Sequence, residues 1–274
     1  MVDPVARPEA GEVLGGGLAN LGQVVRRGDV VERPAPPHAA ALHEYLRALR
    51  DAGFDGAPEP KELRGGREVL SFVPGGVAVP PYPEWSKTEQ SLTSVGRLLR
   101  RMHDAAAGVP IPEAQWPSEF VDPGAENGDH QVILCHNDAC LENVVFRDGE
   151  AAALIDFDFA APGRPLWDLA FCAWYWVPMV PGAIRQVEGM DGLDPFPRLR
   201  LLVDAYGLGD ADRRTLLELF AQVTETCRRF VNGRVASGDP VFTEVDARRD
   251  PQRWDNIQKW LAEHNEDFLA ALGV

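Results

Sequence analysis

The chain has 274 residues, of which 45% are hydrophobic and 25% charged, and a formal net charge of −15. That length accommodates one large domain or two lobes with ample core, and the acidic balance argues against nucleic-acid backbones and anionic membranes as partners. The four cysteines, Cys135, Cys140, Cys172 and Cys227, lack metal-ligand spacing and are expected as free thiols. No apolar run is long enough to span a bilayer, and MVDPVARPEAGEV carries no basic-then-apolar leader. The expectation is a cytoplasmic protein.

In chain order, residues 12–14 predict a strand, followed by Gly15-Gly16-Gly17-Leu18-Ala19-Asn20 and a second strand over 23–26. Arg27-Gly28-Asp29 predicts a hairpin into a third strand over 30–33. Strand, glycine turn and strand would suit a flap over phosphates, because glycines let backbone N–H groups approach oxygens without a Cβ in the way. No Gly-xxxx-Gly-Lys-Ser/Thr occurs, which excludes a P-loop enzyme. Residues 39–52 predict a helix with Leu42, Tyr45, Leu46 and Leu49 on one stripe, stopped by Gly53.

A hairpin follows over 62–73, ending in Pro74-Gly75-Gly76. Ser86-Lys87-Thr88-Glu89 predicts a capping box for a helix faced by Leu92, Val95, Leu98, Leu99 and Met102 and closed by His103. Residues 108–130 carry Glu113, Glu119, Asp122, Glu126 and Asp129. This long connection is either a solvated surface loop or a rim that attracts cations. Beyond residue 165, the pattern predicts a buried helix over 166–177 and three more over 196–206, 210–232 (capped by Asp210) and 250–272 (capped by Asp250).

Residues 134–168, LCHNDACLENVVFRDGEAAALIDFDFAAPGRPLWDL, hold the chemistry. Two apolar runs each deliver the chain into a polar cluster, His136-Asn137-Asp138 and Asp156-Phe157-Asp158. Between them, Arg147-Asp148-Gly149-Glu150 predicts an Asp-Gly hairpin turn that brings Asn143 close to Asp156. Phosphoryl transfer needs a base that orients a hydroxyl and hard oxygen ligands for Mg²⁺. Asp138 suits the first role, Asn143 and Asp156 the second. A metallohydrolase would need more histidines than the six scattered here, and His136 is better placed as a prop for the loop.

His136-x-Asp138-xxxx-Asn143, then Ile155-Asp156-Phe157, then Trp167-Asp168-Leu169-Ala170 resemble the aminoglycoside phosphotransferase and choline kinase-like family. The resemblance implies an α+β, two-lobed protein-kinase-like fold: a small β-rich N-lobe over 1–73 and a larger helical C-lobe over 74–274. It implies transfer of the γ-phosphate of ATP, or of GTP, with Mg²⁺, to a hydroxyl of a small and in some cases cationic molecule, aminoglycoside antibiotics among them. It also implies a monomer or homodimer with neither nucleic acid nor membrane as partner. Asp138 would be the catalytic base and Asp168 a brace for its loop. Asn143 and Asp156 would bind metal, and Asp158 would either reach a second magnesium or be a structural carboxylate.

In the same resemblance Gly16, Gly17 and Asn20 belong to the phosphate flap, and the backbone of Ser71, Phe72 and Val73 meets the nucleotide base at the hinge. Arg33 stands where such enzymes place a phosphate-gripping lysine, a swap that keeps the charge but changes the shape. Glu44 is either its ion-pair partner or a solvated helix charge. That departure keeps a second reading open, a catalytically silent nucleotide-binding or regulatory relative.

Overall fold

The fold, a computed structural model, describes residues 11–15, 22–126, 130–187 and 189–274. Strands β1 (Glu12–Val13), β2 (Val25–Arg27) and β3 (Val30–Pro34) run into helix α1 (Ala39–Asp51), and β4 (Pro60–Arg64) and β5 (Arg67–Ser71) complete an antiparallel sheet in the order β1-β2-β3-β5-β4. Helix α1 lays Leu42, Tyr45, Leu46 and Leu49 into the core, the stripe its spacing predicts, and Gly53 ends it at φ 99°. The third strand pairs with the fifth so that Arg33 lies directly opposite Glu68. That register decides the site described below.

The chain leaves the sheet through Gly75, which has φ 145° and packs so closely on the next layer that a Cβ there would lie 2.5 Å from the Phe146 carbonyl oxygen. Only glycine permits both. A short 3₁₀ turn over Glu84–Lys87 precedes helix α2 (Glu89–Ala106). The cap is Thr88, whose hydroxyl accepts from the Ser91 N–H at 3.1 Å, while Ser86 of the predicted capping box is buried in the turn and donates to the Pro83 carbonyl. The helix therefore begins two residues later than the box implies, the usual scatter where a 3₁₀ turn precedes it.

The larger part continues with β6 (Ile133–Cys135), the hairpin β7 (Val144–Arg147) and β8 (Glu150–Leu154), and β9 (Ala161–Gly163), which pairs with β6. The hairpin turn is of the predicted kind, with Asp148 at φ 53° and Gly149 at φ 80°. Among the described residues seven helices follow: α3 (Pro165–Trp176), α4 (Gly182–Val187), α5 (Pro195–Tyr206), α6 (Asp210–Ala236), α7 (Pro240–Ala247) and the pair α8 (Arg253–Glu263) and α9 (Asn265–Leu272).

Short α4 and α7 were not signalled by the sequence. The helix expected over 250–272 is instead two, broken at His264, whose ring stacks on Trp260 at 4.3 Å and hydrogen-bonds the Trp260 carbonyl. Gly209 is the N-cap of α6, and Asp210 is its first residue rather than its cap. Helix α3 is buried on nearly every side and forms the centre of the core. Among the described residues no helix is long and apolar enough to cross a membrane, and all four cysteines are free.

Helices α2 and α5 approach closely at Gly96, where an added Cβ would sit 3.0 Å from the Leu202 carbonyl and 3.2 Å from the Ala205 Cβ. A backbone oxygen cannot step aside as a side-chain end can. Gly96→Val is expected to destabilise the protein by about 1–3 kcal/mol, the usual range for overpacking, read as a lower denaturant midpoint with unchanged slope.

Candidate active site

The site begins with a carboxylate that has no access to water. Asp168, on the first turn of α3, accepts the His136 N–H at 2.7 Å and the Asn137 N–H at 2.8 Å, and pairs with His103 Nε2 at 3.0 Å. His103 in turn meets the Tyr206 hydroxyl at 2.7 Å. Burial alone would push the Asp168 carboxyl up. The hydrogen bond and charge of His103, with His136, outweigh it and hold the group below the usual carboxylate range. Two consecutive N–H groups aimed at one carboxylate force a sharp turn, and Asn137 takes φ 61° to make it. The predicted brace is thus in place, and His103, which the sequence left as an ordinary helix-end histidine, is part of it.

His136 ties this loop to the next. Its Nδ1 accepts the Asp138 N–H at 3.2 Å, its Nε2 donates to the Ile155 carbonyl at 3.1 Å, and its ring packs 4.3 Å from that of Phe157. That pattern needs the neutral ring, and burial lowers its pKa accordingly. His136 is structural, as expected. The Trp176 indole N–H adds a further tie at 2.7 Å to the Ala139 carbonyl.

Asp138 emerges from this frame partly exposed. Asn143 Nδ2 donates both to its carboxylate at 2.8 Å and to its carbonyl at 3.0 Å. Tyr175 of α3 lies near the same carboxylate. Burial and then the nearby Asp156 push the Asp138 pKa well above its usual value, with Tyr175 and Asn143 acting against that rise. Tyr175 was not singled out by the sequence: it sits in a run of aromatic residues on a buried helix, where core packing is the ordinary reading.

Asn143 and Asp156 are brought together as the hairpin predicts. Val144 pairs with Leu154, and the Ile155 N–H donates to the Asn143 carbonyl at 2.9 Å. With Nδ2 spent on Asp138, the Asn143 amide has its Oδ1 left for another ligand. Asp156 takes φ 63°, a conformation aspartate tolerates better than most side chains. Both line a cleft of about 370 Å³ with Arg33, Ser71, Phe72 and Val73. At the cleft's hinge side the Phe72 N–H is spent on the Asp29 carbonyl at 2.7 Å. Gly16, Gly17 and Asn20 lie outside the described residues.

Arg33 is buried and reaches three carboxylates: Nε to Glu68 at 2.7 Å, Nη1 to Asp156 at 2.7 Å and Nη2 to Asp158 at 2.6 Å. Burial works against its charge, but Asp156, Asp158 and Glu68 together raise its pKa above an already high value. Asp158, itself desolvated and beside Asp156, is pushed up to about 6 despite Arg33.

The expected pair of Arg33 with Glu44 does not form. Glu44 is exposed, because α1 turns its Tyr45–Leu46 side inward, and the helix residue facing this cluster is His43, which contacts Glu68 at 2.8 Å. The arginine's acid comes from the neighbouring strand. A sequence clue exists in Glu68 itself, a charged residue directly before the apolar pair Val69-Leu70 in a strand.

The acidic connection is divided. Glu113, Glu119 and Glu126 are exposed, whereas Asp122 is buried and receives both the backbone N–H and the guanidinium of Arg164, with 2.9 Å between Nη2 and Oδ1. Asp122 is therefore an anchor for the start of α3 rather than part of a solvated loop or a cationic rim. Asp129 lies outside the described residues.

Among the described residues no three His, Cys, Asp or Glu side chains converge into a metal cage. The available donors are an amide oxygen of Asn143 and the carboxylates of Asp156 and Asp158. Two or three hard oxygens suit Mg²⁺, which takes few protein ligands and fills its shell with water and phosphate oxygens. The donor set fits that ion.

A two-lobed α+β chain with a braced loop, a metal-suited pair and a hinge-side cleft has the fold of the protein-kinase-like phosphotransferases. Solved structures agree on the fold. A choline/ethanolamine kinase family protein from Mesorhizobium loti superposes with TM-score 0.63 over 98% of this chain and 93% of its own, at 18% identity. Amicoumacin kinase hAmiN, solved with AMP-PNP, Ca²⁺ and amicoumacin, superposes with TM-score 0.60 over 95% and 89%, at 13% identity. The trifolitoxin immunity protein of Rhizobium leguminosarum bv. trifolii is 35% identical over 206 residues, 73% of this chain and 75% of that protein. The phosphotransferase enzyme family profile matches residues 111–202, and the chain belongs to that family.

Asp168→Ala would strand two buried N–H groups and His103, and it is expected to cost about 3–5 kcal/mol in urea unfolding, the range for breaking a buried charged pair. The sign with pH follows from the lowered pKa. The Asp168 contribution is fully present above its unfolded value of about 3.9 and is lost as pH falls through the lower folded value. Wild type should lose stability on acidification through that window, and Asp168→Asn should lose correspondingly less.

Proposed function

We propose that the chain transfers the γ-phosphate of ATP to a hydroxyl of a small molecule. The observation that carries this reading is the meeting of Asp138, Asn143 and Asp156 on one hairpin and its preceding loop, with the last two lining the cleft below the hinge. The acceptor oxygen attacks the γ-phosphorus, the bond to the β–γ bridging oxygen breaks, ADP leaves, and the hydroxyl proton passes to Asp138. Positioning and charge compensation supply most of the rate in such transfers.

Asp138 orients the acceptor, and its raised pKa suits a late proton acceptor. Mg²⁺ held by Asn143 Oδ1 and Asp156, with Asp158 as a further carboxylate, would neutralise charge on the phosphate oxygens. Arg33 would grip phosphates, its guanidinium freed from Asp156 and Asp158 where those carboxylates hold Mg²⁺. Val73 and the Ser71 carbonyl offer the base-binding edge at the hinge, and we place the boundary between nucleotide-covering and acceptor-binding parts there, near residue 73.

The acceptor class follows the relatives. One is named for immunity to a toxin, and structural neighbours are named for kinases of amicoumacin and of choline or ethanolamine. We infer a toxic or antibiotic small molecule bearing a free hydroxyl, inactivated by phosphorylation. A second reading, a silent nucleotide-binding relative, has one observation in its favour: Arg33 is engaged by three carboxylates rather than held open for phosphate.

An ADP-release screen with Mg²⁺ against aminoglycosides, amino alcohols and other hydroxylated antibiotics decides between the two. Turnover is expected, and Asp138→Asn should lower kcat by about 10²–10⁴-fold, the range for a general base, with ATP affinity near wild type. ATP binding followed by calorimetry should tighten with Mg²⁺ in wild type and lose that dependence in Asp156→Ala. Nucleotide binding without turnover across the panel would leave the silent relative standing.

A further inference from the structure

The guanidinium of Arg33 spends its three nitrogens on three carboxylates, Nε on Glu68, Nη1 on Asp156 and Nη2 on Asp158. A guanidinium is rigid and planar, so fixing the direction of Nε–H fixes where both Nη groups point. Under the phosphotransferase reading Asp156 and Asp158 also serve Mg²⁺, and Glu68 is then the carboxylate left to aim the fork. How firmly Glu68 is itself held decides how well the cation can meet phosphate.

Strand register alone does not hold it. Pairing of β3 with β5 sets Glu68 opposite Arg33 through the backbone, but a glutamate side chain can still turn about its own bonds. The second hold comes from helix α1. His43 Nε2 lies 2.8 Å from Oε2 of Glu68, while Oε1 accepts the Arg33 Nε–H at 2.7 Å. Each partner uses a different oxygen, so the carboxylate cannot swivel. A carboxylate paired with arginine only accepts, which puts the histidine proton on Nε2.

Glu68 and His43 are both buried, which shields the two contacts from bulk water. Packing alone gives no reason for a histidine here. Its neighbours Leu42, Tyr45 and Leu46 fill the core side of α1, and an apolar residue among them would leave no polar atom to satisfy.

We propose, resting on the phosphotransferase reading above, that His43 is a positioning residue for phosphate binding, acting through Glu68 to aim the Arg33 guanidinium. It touches no substrate. Its effect is confined to the part of the nucleotide that Arg33 meets, the phosphates, and does not reach the base at the hinge.

The test reads binding rather than turnover, so the acceptor need not be known. Calorimetry gives the affinities of Mg·ATP and of adenosine, which carries no phosphate, with a thermal midpoint for each protein. The proteins are wild type, His43→Phe, His43→Asn, His43→Gln and Glu68→Asp. His43→Phe keeps a ring but cannot donate, and its Mg·ATP affinity is expected to fall about two- to tenfold, the loss of one net hydrogen bond, with adenosine affinity unchanged. His43→Asn, too short to reach Glu68, should behave alike. His43→Gln offers an amide N–H at longer reach and should recover most of the loss. Glu68→Asp keeps the charge but is too short to span both partners, and should reproduce the His43→Phe pattern.

A merely structural histidine would weaken ATP and adenosine together, or lower the midpoint and leave both affinities alone. Either result overturns the inference. Should His43→Phe fail to fold, equal Mg·ATP affinity in His43→Asn and His43→Gln overturns it as well. Wild type that binds neither Mg·ATP nor adenosine would overturn the nucleotide reading itself, and this inference with it.

Discussion

A single ionised carboxylate without water contact, Asp168, sets the path of the reactive loop. Two adjacent backbone N–H groups can satisfy one carboxylate only if the chain folds sharply around it, so the charge acts as a template for the turn. Everything reactive depends on that turn. Asp138 follows it directly, Asn143 hydrogen-bonds Asp138, and Ile155 is tied back to the loop through His136. The cost of burying the charge is offset by His103 and by N–H groups that would otherwise lack partners.

A second charge arrangement is laid over the first. Arg33 is one cation among Glu68, Asp156 and Asp158, with Asp138 nearby. Its charge offsets the mutual repulsion of these acids, yet burial and then Asp156 still push the Asp158 carboxyl up against it. A guanidinium can span three acids because its donors fan out in a plane.

Much of this was legible in the sequence because it is local. The Asp-Gly turn fixes the β7–β8 register, and that register places Asn143 beside Asp156. The apolar stripe of α1 and the all-round burial of α3 follow from periodicity. What stayed hidden is non-local. Arg33 meets Glu68 through a strand register set 35 residues apart, and no helical period announces which face of α1 lies over it. Tyr175 reads as core because Asp138, to which it lies near, is remote in sequence. Asp122 read as part of a solvated loop or a cationic rim because its partner, Arg164, lies beyond four intervening strands.

The source of the acid that holds Arg33 has a consequence for control. Enzymes of this architecture can be switched by swinging a helix, since the helix carries the glutamate that orients the phosphate-gripping cation. In this chain both members of the pair sit face to face on neighbouring strands, joined by backbone hydrogen bonds. Moving α1 would withdraw only His43 and leave the arginine and its acid where they are. Displacing α1 is therefore no way to part this pair: whatever position the helix takes, strand pairing keeps the cation and its carboxylate in register.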